Sequence, residues 1–175
     1  KVFKEWIKLL NIKISTVPMK NETLDGIKKS LENKLLANNF IKDFLGDELH
    51  NVSEQVIKKL SDSVKYIPND NDSSVNEAGR ALEDFLRLDL DKNIDLTHCS
   101  GLGEIGNELN KSNYPKKLNN LCVGLANVRS MGKAHGVDKT LNVPWSISDH
   151  AAIGYIIMVL TLIKSYLVYV HNQKL

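Results

Sequence analysis

Arg129 and His135 stand six positions apart in the stretch Asn127-Val-Arg129-Ser-Met-Gly132-Lys-Ala-His135-Gly136. Arginine is a permanent cation whose planar fork of donors matches phosphate oxygens. Histidine, with an unperturbed pKa of about 6.5, moves protons at neutral pH. The two types together suit chemistry at a phosphodiester. On an uninterrupted helix, six residues turn the chain by about 600° and leave the side chains about 120° apart, so the pair does not converge. Gly132 lies between them and Gly136 follows. The expectation is therefore a helix that bends or breaks between Met131 and Gly136 and lets His135 fold back. Taken by type and spacing alone, a surface arginine and a loop-packing histidine are the more ordinary explanation; the glycines and the local basic charge bring the two readings level.

The elements that must position this stretch read as helices. Phe3, Trp6, Ile7 and Leu10 fall at helical spacing, and Val17-Pro18 ends that run. Leu24, Ile27, Leu31 and Leu35 mark a second helix with Asn21 as its cap. Phe40, Ile41, Phe44 and Leu45 form a short piece that Gly46 stops; Asp47 then caps a helix carrying Leu49, Val52, Val56, Leu60 and Val64. Pro68 to Ser74 is polar and turn-rich and reads as a loop or boundary. Ser74 and Glu77 fit a capping box for a helix presenting Ala78, Leu82, Phe85 and Leu86. Residues 91–100 read as irregular and 101–109 as glycine-rich, then helical. Pro115 suits the start of a helix with Leu118, Leu121, Cys122, Leu125 and Val128 on one face. After a loop over 136–144, Ser148 caps the last and most apolar helix, to about His171. No alternating strand pattern occurs, so the fold class is all-α.

Charge is sorted along the chain although the formal net charge is only +2 over 175 residues. Residues 115–139 carry Lys116, Lys117, Arg129, Lys133 and Lys139 against Asp138 alone, and 75–109 carry eight acids against three basic residues. The basic block contains the Arg–His stretch. Bulk charge argues neither for nor against nucleic acid. Two cysteines without a CxxC pair give no disulfide framework, which points to a reducing cytoplasm. The chain opens on Lys1, as a fragment or processed product would, and no secretory signal pattern is visible. The apolar run 151–163 is interrupted by Lys164, short of the roughly 18 uncharged residues a membrane span needs, and reads as a core helix.

Other constellations read as structure. Gly101-Leu-Gly103-Glu-Ile-Gly106 matches GxGxxG literally but lacks the preceding strand and βαβ setting of a dinucleotide site; a tight loop and a close helix approach are expected. His98, Cys99, Cys122, His135 and His150 lack the paired spacing of zinc ligands, so no metal site is expected. Cys122 reads as a small core residue, and Asp149-His150 as helix-cap and surface residues. Glu77, Glu83 and Asp84 read as a solvated face, with one of Glu77 or Glu83 as a candidate to orient Arg129 or His135.

Ala81-Leu-Glu-Asp-Phe85, Gly101-Leu-Gly103, Leu121-Cys-Val-Gly-Leu-Ala126 and above all Val128-Arg129-Ser-Met-Gly132-Lys-Ala-His135-Gly136, followed by an apolar helix, resemble the C-terminal domain of bacterial abortive-infection proteins. That domain is a branch of the HEPN superfamily, whose signature is Arg, four to six residues, then His; here five residues intervene. The resemblance spans residues 74–172 and leaves 1–67 as an N-terminal helical region of unknown role. Ser130 departs from the asparagine common after the arginine; its hydroxyl still reaches phosphate, but less far. The resemblance implies an all-α, HEPN-type helical bundle with additional N-terminal helices, dimeric through its motif face. It implies a metal-independent endoribonuclease of an anti-phage or toxin–antitoxin system, without cofactor, acting on RNA in the cytoplasm. Arg129 and His135 would be catalytic, with Ser130, Asn127 and Lys133 positioning phosphate. An antitoxin or other defence-system protein would be a further partner. Because some superfamily members do not cleave RNA, the alternative is a non-catalytic dimerisation, nucleotide-sensing or partner-binding module of a larger defence protein.

Overall fold

The structure is a computed structural model that describes residues 34–67, 69–90, 94–134 and 146–173, with the backbone alone at 34–38 and 131–134. The first expected helix, and the second as far as residue 33, lie outside the described residues; the second one's last marker, Leu35, falls in the same helix as the piece expected at 40–45. Six α-helices and no strand occur among those described: α1 (Lys34–Leu45), α2 (Glu54–Tyr66), α3 (Asn71–Asp84), α4 (Leu102–Leu109), α5 (Lys116–Ala134) and α6 (Asp149–Gln173). The all-α class follows from these elements.

Gly46 ends α1 in the left-handed region, at φ 59°, as a stop glycine should. Asp47 does not cap the next helix. Gly46–Asn51 winds as a 3-10 helix, Val52 is extended, and α2 starts only after Ser53. The Ser53 N–H is taken by the Asp89 carboxylate, 2.9 Å away, so a tertiary partner fixes where α2 begins. The boundary at 68–74 is also displaced. Asp70 is the N-cap of α3, its carboxylate accepting from the Ser73 N–H at 2.9 Å and the Ser73 hydroxyl at 2.6 Å. Ser74 lies inside the helix and is buried, and Glu77 reaches Arg80 instead of a cap. Most of the polar tract is thus the first turn of α3, because an aspartate accepts N-terminal N–H groups well and polar residues are tolerated there.

Helix α3 is the middle of the bundle and packs against α2, α4, α5 and α6. Its axis continues through a π-helical segment, Phe85–Leu90. In this wider turn Arg87 donates to the Cys99 carbonyl at 2.8 Å while Asp89 faces Ser53. One core runs from Ile41 and Leu45 through Val56, Leu60, Leu82 and Phe85 to Tyr155 and Leu160, so residues on both sides of 68–74 share it. By length and composition α6 is the one described helix able to cross a membrane, yet 61% of its apolar window is buried inside the bundle. Ser148 caps it, accepting the Ala151 N–H at 3.2 Å.

Helices α4 and α5 meet at Gly106. A Cβ there would lie 2.7 Å from the Asn119 carbonyl oxygen, closer than side-chain carbons come to backbone. Of the three glycines, Gly106 therefore serves the expected close helix approach, while a Cβ at Gly101 or Gly103 would make only ordinary contacts, at 3.5 Å. Asn119, fully buried, ties the junction together: it donates to the Asn110 side chain and the Tyr114 carbonyl and accepts from the Tyr166 hydroxyl at 2.8 Å.

Candidate functional site

Arg129 lies in the penultimate turn of α5, on the side facing α3. Its Nη1 donates to Glu83 Oε1 at 2.8 Å. The same oxygen accepts the Leu102 N–H at 3.0 Å, at the start of α4. Glu83 is nearly buried, and the Arg129 side chain keeps 26% of its surface exposed. One carboxylate thus joins the ends of three helices, and the guanidinium is held by one edge. One turn before Glu83, Gly79 lies beneath the arginine. A Cβ on Gly79 would fall 2.6 Å from Arg129 Cδ and 2.9 Å from its Nη1. Tyr155 of α6 donates to the Leu125 carbonyl at 3.1 Å, which anchors α5 one turn before Arg129. Burial holds the Tyr155 hydroxyl well above its ordinary pKa, and it stays a neutral donor.

The arginine opens onto a cleft of about 460 Å³ lined by Asn76 and Arg80 of α3, residues 100–104 at the start of α4, and Ala126, Arg129 and Ser130 of α5. That volume is in the range of small-molecule and nucleotide sites. Arg80 is exposed and bonded to Glu77, three residues back, at 2.8 Å. Glu104 accepts the Ser100 N–H at 2.7 Å, and this hydrogen bond holds its pKa below the usual carboxylate value. Of the carboxylates, Glu104 lines the cleft with the two guanidinia, while Glu77 and Glu83 pair with Arg80 and Arg129 from outside that lining. The cleft offers preset donor forks without an excess of positive charge.

The structure separates the expected site residues into those it gathers and those it does not. Arg129 and Glu83 meet. Glu77 pairs with Arg80 and not with Arg129. Ser130 lines the cleft, but its hydroxyl donates to the Asn127 carbonyl at 2.8 Å on its own helix. Asn127 is exposed. Helix α5 continues through Gly132 to Ala134, so it does not break at Met131 or Gly132; His135 and Gly136, where the expected stretch ends, lie outside the described residues. Lys133 is in this last turn. Lys116 and Lys117, at the other end of α5, are about 18 Å from Arg129 along the axis at 1.5 Å per residue. Lys116, Lys117, Arg129 and Lys133 are thus spread along one helix, and Lys139 lies outside the described residues.

Sequence reasoning missed Arg80, Asn76 and Gly79. Arg80 belongs to the acidic block, which drew attention away from it. Gly79 carried a usable signal: it stands four residues before Glu83, on the same helix face. Among the described residues no three of His, Cys, Asp and Glu are grouped to hold a metal ion. Compared with family models, curated proteins and solved structures, the chain matches none.

Proposed function

We propose that this chain is a HEPN-type, metal-independent endoribonuclease of a cytoplasmic anti-phage or toxin–antitoxin system. The observation that supports it is the Arg129 guanidinium, fixed by Glu83 at 2.8 Å and facing a cleft large enough for a nucleotide. The reaction class comes from the resemblance of residues 128–136 to the abortive-infection C-terminal domain. RNA carries its own nucleophile, the 2′-hydroxyl. His135 takes its proton; the 2′-oxygen forms a bond to phosphorus as the bond to the 5′-oxygen breaks. Arg129 stabilises the charge that builds on the phosphate oxygens. The leaving 5′-oxygen gains a proton, giving a 2′,3′-cyclic phosphate and a 5′-hydroxyl. One histidine does not serve as base and acid in a single step, so a homodimer that brings two motifs to one cleft supplies both roles. Ser130, Asn127 and Lys133 position the phosphates, and Arg80 adds a second guanidinium at the cleft. An antitoxin or other defence-system protein fits as the regulating partner.

The near balance of charge around the cleft favours a second reading: a non-catalytic dimerisation, nucleotide-sensing or partner-binding module, with Arg129–Glu83 as a structural pin. Cleavage of single-stranded RNA in the presence of chelator separates the two. Under the first reading the purified chain cuts RNA to cyclic-phosphate ends, and His135→Ala and Arg129→Ala each abolish the cut while the protein stays folded. Equal cleavage by His135→Ala removes that residue from the mechanism. Absence of cleavage, with nucleotide-dependent thermal stabilisation, establishes the second reading.

A further inference from the structure

We propose that Gly79 is a positioning residue for Arg129: the missing side chain on α3 is the seat across which the arginine lies to reach Glu83. The consequence for RNA cleavage rests on the ribonuclease reading; the seating does not. A glycine inside a helix is unfavourable relative to alanine, so a packing reason is needed for it. Here the reason is specific. A Cβ at Gly79 would meet Arg129 Cδ at 2.6 Å, Arg129 Nη1 at 2.9 Å and the Tyr155 hydroxyl oxygen at 3.1 Å.

These neighbours differ in kind from those at Gly106, where the nearest atom is a backbone carbonyl oxygen at 2.7 Å. Backbone between two packed helices has nowhere to go. The distal half of an arginine with 26% of its side chain exposed does. It swings out into the cleft that it already borders. Alanine at 79 therefore leaves the helices in place, displaces the arginine, and moves the Tyr155 hydroxyl by a few tenths of an ångström. Glu83 stays behind with the Leu102 N–H as its bond. The fold keeps a helix-weakening residue at the position where strengthening the helix would unseat the guanidinium.

The test uses the full chain with Gly79→Ala, and Gly124→Ala as reference. Gly124 is on α5, the helix of Arg129, and a Cβ there meets nothing within 4 Å, so its alanine variant reports the helix gain alone. The first readout is nitrogen-detected NMR of the Arg129 guanidinium. In the parent the carboxylate bond is expected to slow and resolve its Nη resonances. Gly79→Ala is expected to collapse them and Gly124→Ala to leave them unchanged. The second is coupling to Glu83→Gln, measured by urea unfolding: the substitution lowers stability in the parent and has no further effect beside Gly79→Ala. The third is RNA cleavage, where loss of the seated guanidinium is expected to lower kcat by about 100-fold with KM little changed. Retained Nη resonances, or undiminished coupling to Glu83, overturn the proposal. Displaced Arg129 with unchanged cleavage supports the seating and removes Arg129 from the chemistry. Gly79→Ala/Tyr155→Phe relieves the tyrosine contact; if both variants fail to fold, Gly79 holds helix packing and the proposal is overturned.

Discussion

At Glu83 one carboxylate oxygen serves two donors from two other helices, the Arg129 guanidinium and the Leu102 N–H. Glu83→Ala removes both bonds and leaves the guanidinium and an amide short of partners. It is expected to cost about 2 kcal/mol, between the values for a neutral buried hydrogen bond and a fully buried ion pair, because Arg129 is partly solvated. Glu83→Gln costs less, since its amide oxygen still accepts the Leu102 N–H. Urea unfolding of both checks the order. Arg80 is the opposite case. It is exposed and bonded only to Glu77 among the described residues, so Arg80→Ala is expected to change stability by no more than about 0.5 kcal/mol. If the cleft takes RNA, the same change weakens binding evenly across sequences and reduces the salt slope by about 1; titrations at several salt concentrations measure it. The sequence named both Glu77 and Glu83 as partners for the motif and did not choose. Six positions place them about 120° apart around α3. The choice depended on which face α5 covers, which no local pattern encodes.

Elements were legible where the apolar period was strong and less so where a partner set their limits. The apolar face of α5 and the Ser148 cap of α6 were both readable, since period and cap lie within the element itself. The start of α2 was not, because it depends on Asp89, 36 residues on. Nor was the π-helical turn at 85–90, which no residue type announces. Helix α3 shows how a motif misleads. Ser74 and Glu77 have capping-box spacing, but Asp70 starts the helix four residues earlier. The two assignments predict opposite mutational outcomes. Asp70→Ala is expected to lose about 1 kcal/mol, the usual value of an N-cap side chain. Ser74→Ala is expected to be neutral or stabilising, because its hydroxyl is buried with no hydrogen-bond partner among the described residues. Chemical denaturation of the two single variants decides between them. A loss at Ser74 and none at Asp70 would restore the capping box.

Across the whole molecule, folding undoes the charge sorting that is so plain along the chain. Glu83 of the acidic block meets Arg129 of the basic block, and Arg80 of the acidic block joins Arg129 at the cleft. What the interior keeps instead is a set of neutral weak acids between α5 and α6. Cys122 lies 3.4 Å from the Tyr166 hydroxyl, which bonds Asn119, and Tyr155 bonds the Leu125 carbonyl. Burial pushes the Cys122 thiol from its ordinary 9.0 up to about 12 and raises both tyrosines above their ordinary 10.0. The sign of the pH dependence follows. In the unfolded chain these groups lose their protons near 9 and 10; in the folded chain they hold them. The unfolded state therefore binds fewer protons above pH 9, and stability falls as pH rises. Their contribution is complete below pH 9.0 and is lost progressively above it, through pH 12 for Cys122. Once its unfolded counterpart is ionised, each group removes about 1.4 kcal/mol per pH unit. The bundle should thus lose its helical circular dichroism cooperatively in mild alkali, and Cys122 should resist alkylation at neutral pH until urea unfolds the chain. Cys122→Ala removes one of the three ionisations, so its stability should fall less steeply between pH 9 and 11 than that of the parent. Parallel curves for the two proteins would show that Cys122 is not held protonated by the fold.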